Sequence, residues 1–238
     1  MFTKEMIDKA RAIVSQLDIP EQFGCDEDGG EFDDSALYNQ VSAVYSGEFS
    51  IETGISKCVI VLPGESFVIK IPFNGTHYYD YEYNEETDEY EEVEHYFNKF
   101  TVVEDYCERE MELTEVAQER GFSQFVLNMI CFYIDKRGRA FYMQERARTD
   151  RCSYGISPTS VSQRSRDVAE SMRTSYCYGN ESWRAAIVEC YGEDTWYTFV
   201  NWNVAGNIGI LSDMHGGNYG YRLDGTPVLI DISGFKEN

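Results

Sequence analysis

Basic side chains are scarce in this chain: 20 lysines and arginines stand against 42 aspartates and glutamates, a formal net charge of −22 over 238 residues. Such a field repels phosphate backbones and anionic lipid out to a Debye length, so the sequence predicts no nucleic-acid or membrane partner and favours basic proteins. Long hydrophobic runs are lacking as well. The longest apolar stretch, V-L-N-M-I-C-F-Y-I over 126–134, falls short of the roughly 20 residues that span a bilayer. The opening M-F-T-K-E-M-I-D has neither a basic region nor a small-residue cleavage site, which predicts no secretory signal and a cytoplasmic location. Seven cysteines form an odd set with no C-x-x-C pair, so reduced thiols are expected in place of a disulfide framework or a zinc site. What is present is a hydrophobic content of 42%, enough to bury a full core in one domain or two tightly joined lobes.

Along the chain the apolar period changes several times. Met6, Ala10, Ile13, Val14 and Leu17 recur at helical spacing, predicting an amphipathic helix over 3–17 that lies on a core. An acidic, glycine-containing loop is expected over 21–38. From residue 41 the pattern reads strand, turn, strand through V-S-A-V-Y-S-G-E-F-S-I and K-C-V-I-V-L-P-G-E-S-F-V-I-K-I-P-F, with Pro63-Gly64 as punctuation. Residues 74–104 alternate acids with tyrosines and contain few aliphatics. They read as an insertion outside the core, either a solvated acidic loop or hairpin or a partner-binding surface. Helix formers fill 104–120 with Gly121 at the expected cap, and a hairpin follows around D-K-R-G at 135–138. Ser, Gly and Pro mark a boundary near 152–158. Helices are expected at about 159–176, 182–191 and 194–205, and a final hairpin turns at Asp224-Gly225.

That final hairpin carries the chemistry. Phosphoryl transfer from ATP needs oxygen ligands for magnesium and a carboxylate facing the acceptor hydroxyl. Asp213 and Asn218 form D-x-x-x-x-N ahead of the first strand, and Asp231 follows the apolar V-L-I thirteen residues after Asn218. A turn that joins the strand ends would gather two metal ligands and one catalytic carboxylate. Turn-forming is the competing role for all three residues, since Asp and Asn are common in turns.

From about Val44 to Phe235 the sequence resembles the protein kinase-like superfamily, and S-D-M-H-G-G-N is similar to the D-x-H-x-x-N loop of aminoglycoside and choline phosphotransferases and to the early host-shutoff protein kinases of podophages. The resemblance implies an α+β, bilobal fold. Its parts would be an N-terminal helix and acidic loop over 1–38, an antiparallel-sheet N-lobe over 39–150 with the insertion 74–104, and a reduced helical C-lobe over 151–238. It implies ATP and Mg2+ as cofactors, Asp213 as catalytic carboxylate, and Asn218 and Asp231 as metal ligands. Lys70, in F-V-I-K-I, would be the third-strand lysine on the phosphates. Glu110 would be the helix glutamate paired with it, with Glu108, Glu112 and Glu115 as competitors. Met143, Gln144, Glu145 and Arg146 would form the hinge that binds adenine through backbone groups. His215 would be structural.

The chain also departs from the family pattern. G-E-F-S-I-E-T-G-I-S lacks G-x-G-x-x-G, leaving the phosphate-covering turn around Ser50–Ser56. Leu211 and Ser212 precede the catalytic Asp in place of His-Arg, and I-S-G-F follows the metal-binding Asp. Seven residues follow Asp231, so no activation segment is expected. The implied function is a minimal phage-type Ser/Thr protein kinase acting on basic host proteins. The alternatives are a small-molecule kinase of the aminoglycoside type, or an inactive kinase-like protein that blocks a basic partner through its acidic insertion.

Overall fold

The computed structural model describes all residues except 1, 22, 25–32, 55, 75, 85–86, 98–104, 150–161, 166, 168–180, 212–216 and 233–238; of 76–82, 90–97 and 181 it describes the backbone alone. The protein is mixed α+β. It divides into two compact units, one of Met1–Arg109 with Ile130–Met143, the other of Glu110–Met129 with Gln144–Asn238.

The first unit is built on a five-stranded sheet in the order β1-β2-β3-β7-β6, from β1 (Ser50–Thr53), β2 (Lys57–Val61), β3 (Phe67–Pro72), β6 (Met129–Ile134) and β7 (Ala140–Glu145). Alternation sorts its residues by face. Cys58 and Ile60 of β2, Phe67, Ile69 and Ile71 of β3, and Phe141 and Met143 of β7 join one core with Ala10, Ile13 and Val14 of α1 (Lys4–Val14) and Leu37 and Val41 of α2 (Ser35–Val44). Helix α1 begins at Thr3, whose Oγ1 accepts the Met6 N–H at 3.3 Å.

Two expectations change here. Residues 35–44 are helix where a loop and the start of a strand were expected, and the first strand begins at Ser50. Leu37 and Val41 are four residues apart, so a helix buries both against the sheet. That burial outweighs the strand preference of Val41 and Val44.

Residues of the acidic insertion form a separate two-stranded antiparallel ribbon, β4 (Thr76–Asn84) with β5 (Glu89–Phe97), in a register that runs from Thr76 opposite Phe97 to Asn84 opposite Glu89. Helix α3 (Tyr106–Glu119) follows. Its end is marked by Gly121 at φ +83°, and the Phe122 N–H reaches back to the Ala117 carbonyl at 2.8 Å, a left-handed cap that glycine adopts without strain.

The second unit has an aromatic core. Phe122, Phe125, Trp183, Trp196 and Phe199 lie together, with Phe125 and Phe199 centroids 4.7 Å apart and Trp183 edge-on to Trp196 at 5.8 Å. Each such side chain contributes about 2–3 kcal/mol by leaving water. Its helices are α4 (Glu181–Tyr191) and α5 (Glu193–Ala205), and its sheet runs β10-β9-β8, from β8 (Ala147–Thr149), β9 (Tyr219–Arg222) and β10 (Pro227–Leu229). Residues 110–119 of α3 belong to this unit, with Leu113 and Ala117 packed into that core. Most of the helix expected at 159–176 lies outside the described residues. No helix among the described residues is long and apolar enough to cross a membrane.

Candidate functional site

The hairpin β9–β10 is held on all sides. At its closed end Asp224 Oδ1 accepts both the N–H and the hydroxyl of Thr226, at 2.9 and 2.7 Å, and Gly225 takes φ +88°. Underneath, the Trp183 indole N–H donates to the Gly220 carbonyl at 2.9 Å. Gly220 must be glycine, since a Cβ there would stand 1.9 Å from the Arg148 carbonyl oxygen on the neighbouring strand. Arg222 donates from its guanidinium to the Gln124 and Val126 carbonyls at 2.9 and 2.7 Å and pairs with Glu145 at 3.2 Å. The Leu229 N–H donates to the Phe125 carbonyl at 2.9 Å, tying β10 to the loop after α3.

At the open end, beyond the last strand pair Leu229–Tyr219, lie Asn218, one residue on, and Asp231, two residues on. The Asn218 carbonyl accepts the Ile230 N–H at 2.8 Å and the Asp231 N–H at 3.4 Å, so the hairpin brings these two residues together. Asn218 is buried and Asp231 half-buried. An amide and a carboxylate are the oxygen donors a hard divalent cation prefers, and magnesium fills its remaining positions with water and phosphate oxygens. Among the described residues no cluster of three or more His, Cys, Asp or Glu side chains is placed to hold a metal. Asp213 and His215, the other residues of that loop, lie outside the described residues.

Glu110 is in the same unit. It is fully buried, 0% exposed, whereas Glu108, Glu112 and Glu115 are exposed on the other faces of α3. Its Oε1 accepts a hydrogen bond of 2.7 Å from Gln144 Nε2, which also donates to the Ile230 carbonyl at 3.1 Å. Sequence reasoning placed Gln144 in the hinge for its backbone and missed its side chain. The available signal was a polar residue at a sheet-facing position of the otherwise apolar A-F-Y-M.

Glu145, expected to bind adenine through its backbone, donates its N–H to the Asn128 carbonyl at 2.8 Å, and its carboxylate accepts from Asn128 Nδ2 and pairs with Arg222. That amide is already committed inside the unit. Met143 points into the core of the first unit.

In the first unit Lys70 lies on β3 opposite Val59, 3% exposed, on the face away from α1 and α2. Lys57, also buried, shares that face through its pairing with Pro72. Asp105 caps the start of α3, accepting the Cys107 and Glu108 N–H groups at 2.8 and 3.1 Å, and accepts the Tyr142 hydroxyl at 2.5 Å. Burial pushes its carboxyl above the ordinary aspartate value, against the lowering effect of those bonds and of the Lys57 charge. The same burial, with Asp105 beside it, pushes the Tyr142 phenol up. Ser50–Thr53, where the phosphate-covering turn was expected, form β1.

Comparison with protein-family models, with curated proteins and with solved structures found no match for this chain.

Proposed function

We propose that this protein is an ATP-dependent phosphotransferase of the protein kinase-like kind, with a sheet-based and a helical lobe, that moves the γ-phosphate to a hydroxyl of a basic protein. One observation carries the reading: Asn218 and Asp231 meet at the open end of one hairpin, and the peptide group before Asp231 is joined through Gln144 to the one buried glutamate of α3. The order of parts supports it too. A lysine sits on the third strand, a helix with a buried glutamate follows, and the strand β7 leads into the second unit, as the resemblance implies.

In this reading Asn218 and Asp231 hold Mg2+, Lys70 neutralises phosphate charge, and Asp213 orients the acceptor hydroxyl. The metal supplies charge neutralisation on the transferring phosphoryl group. The net charge of −22 favours a cationic substrate protein by steering.

The test is incubation of the full chain with labelled ATP and Mg2+ and total bacterial protein, beside Asp213→Ala and Asp231→Asn. Label moving to protein with wild type alone supports the reading. Label moving to an aminoglycoside-type small molecule selects the second enzymatic class. No ATP binding and no transfer, with a basic protein still captured, selects the inactive blocking protein.

A further inference from the structure

We infer that Gln144 is a positioning residue which locks the Glu110 carboxylate to the peptide plane carrying Asp231, and thereby sets the affinity for the metal–nucleotide pair; the inference deepens the phosphotransferase reading and rests on it. The chain passes between its two units three times, after Arg109, after Met129 and after Met143. The second-unit residue at each passage is Glu110, Met129 and Gln144. One carboxamide joins all three: Gln144 Nε2 lies 2.7 Å from Glu110 Oε1 and 3.9 Å from Met129 Sδ. Glu110, Met129 and Gln144 are all buried, so none of these contacts competes with bulk water.

The same nitrogen donates to the Ile230 carbonyl at 3.1 Å. That oxygen belongs to the peptide group whose N–H is on Asp231, and this N–H faces the Asn218 carbonyl at 3.4 Å. A peptide group is planar. Held by Gln144 on its oxygen side and by Asn218 on its nitrogen side, the plane from which Asp231 departs cannot rotate without breaking one of the two bonds. The orientation of the amide is fixed as well. The Ile230 carbonyl has no proton to give, so the NH2 must face it, and its two hydrogens match that carbonyl and the Glu110 Oε1. A turned amide would set its oxygen against the carbonyl.

The experiment is calorimetry of ATP binding with and without Mg2+, on the full chain, comparing wild type with Gln144→Met, which keeps the volume and removes both donors. A core variant, Phe199→Leu, matched in loss of thermal stability, serves as control. The expected result is about a tenfold loss of Mg2+–ATP affinity in Gln144→Met, the scale of one charge-assisted hydrogen bond, with less than about a twofold change for ATP without metal and no metal-specific change in the control. Equal losses with and without Mg2+, or none, overturn the inference.

A measurement on wild type alone covers the case in which Gln144→Met does not fold. The Gln144 side-chain NH2 exchanges its hydrogens at least about a hundredfold more slowly than an exposed glutamine if it is tied to both acceptors. Exchange at the exposed rate overturns the tie. Wild type that binds no Mg2+–ATP sinks the phosphotransferase reading instead, while slow exchange would still establish the tie.

Discussion

The two units bury comparable sets of apolar side chains, yet different bonds lock them. In the first unit, strands β2, β3 and β7 present Cys, Ile, Phe and Met to α1 and α2, and solvent-facing ion pairs such as Lys9–Glu65 and Arg137–Asp18 lie at the rim. In the second, polar side chains reach from the interior to backbone carbonyls: Trp183 to Gly220, Arg222 to Gln124 and Val126, Gln144 to Ile230. Asn203 Oδ1 likewise accepts the Ile210 N–H at 2.9 Å. Non-directional burial suffices where regular strands satisfy their own backbone. Where the chain runs as loops between short strands, each buried carbonyl needs a donor, and side chains supply it.

The largest effect expected from breaking this contrast is in the apolar unit. Phe67 is fully buried in β3, and Phe67→Ala should cost about 3–5 kcal/mol through lost transfer energy and the cavity left behind. Urea unfolding followed by fluorescence would measure it. A loss under about 1 kcal/mol would mean that this core is loosely packed and that the contrast between the units fails. Next comes Arg222→Met, expected to cost about 3 kcal/mol because it removes the cation paired with Glu145 and the donors to the Ser123, Gln124 and Val126 carbonyls. Arg222→Lys should recover only part of that, since a single ammonium cannot reproduce the planar fork. Full recovery by lysine would reduce the role of Arg222 to charge alone.

This difference between the units also decides what could be read from the sequence. The strands around Val59, Ile60, Ile69 and Ile71, the Asp224-Gly225 turn and the α3 stop at Gly121 were legible, because period-2 apolar runs and turn residues act locally. The helix over 35–44 was not, because its burial against the sheet depends on residues far along the chain. The convergence of Asn218 and Asp231 followed from their placement at the two ends of one hairpin. The burial of Glu110 in place of Glu108, Glu112 or Glu115 did not, as these four of the five glutamates on α3 carry no facing information until the partner at Gln144 is in place.

A smaller effect is expected at Asp105, a half-buried carboxylate of the first unit that caps α3. Folding raises the Asp105 carboxyl above its unfolded value, burial being the first cause, so the folded state holds the proton more tightly than the unfolded chain. The contribution of this group to stability is therefore largest below its ordinary value. It declines as pH rises through the window up to its raised value, and it is level beyond. Asp105→Asn keeps an acceptor for the Cys107 and Glu108 N–H groups while removing the charge. Its denaturation midpoint should lack that decline, so that variant and wild type converge in acid and separate towards neutral pH. Parallel profiles at every pH would show that the carboxyl does not titrate in the window.

The smallest effect concerns the β4–β5 ribbon, where the rule of the first unit should cease to apply. Among the described residues its strands pair only with each other, and its register sets Glu82 opposite Glu91, a like-charge pairing that opposes folding. A two-stranded ribbon is marginal in water by itself, and its composition of Tyr, Glu and Asp offers little aliphatic surface to the core that stabilises the five-stranded sheet. Replacing residues 76–97 by a short Gly-Ser turn removes nine acids and no lysine or arginine, taking the net charge from −22 to −13. The change in unfolding free energy should stay within about 0.5 kcal/mol, the range for substitutions away from buried features. The deletion variant should gain relative to wild type as ionic strength falls, because the removed charges repel one another and their screening weakens. Denaturation at low and high salt, with and without the ribbon, measures both. A loss above about 2 kcal/mol, or a variant that is relatively less stable at low salt, would mean that the ribbon is an integral layer of the first unit and that apolar burial alone does not hold that unit together.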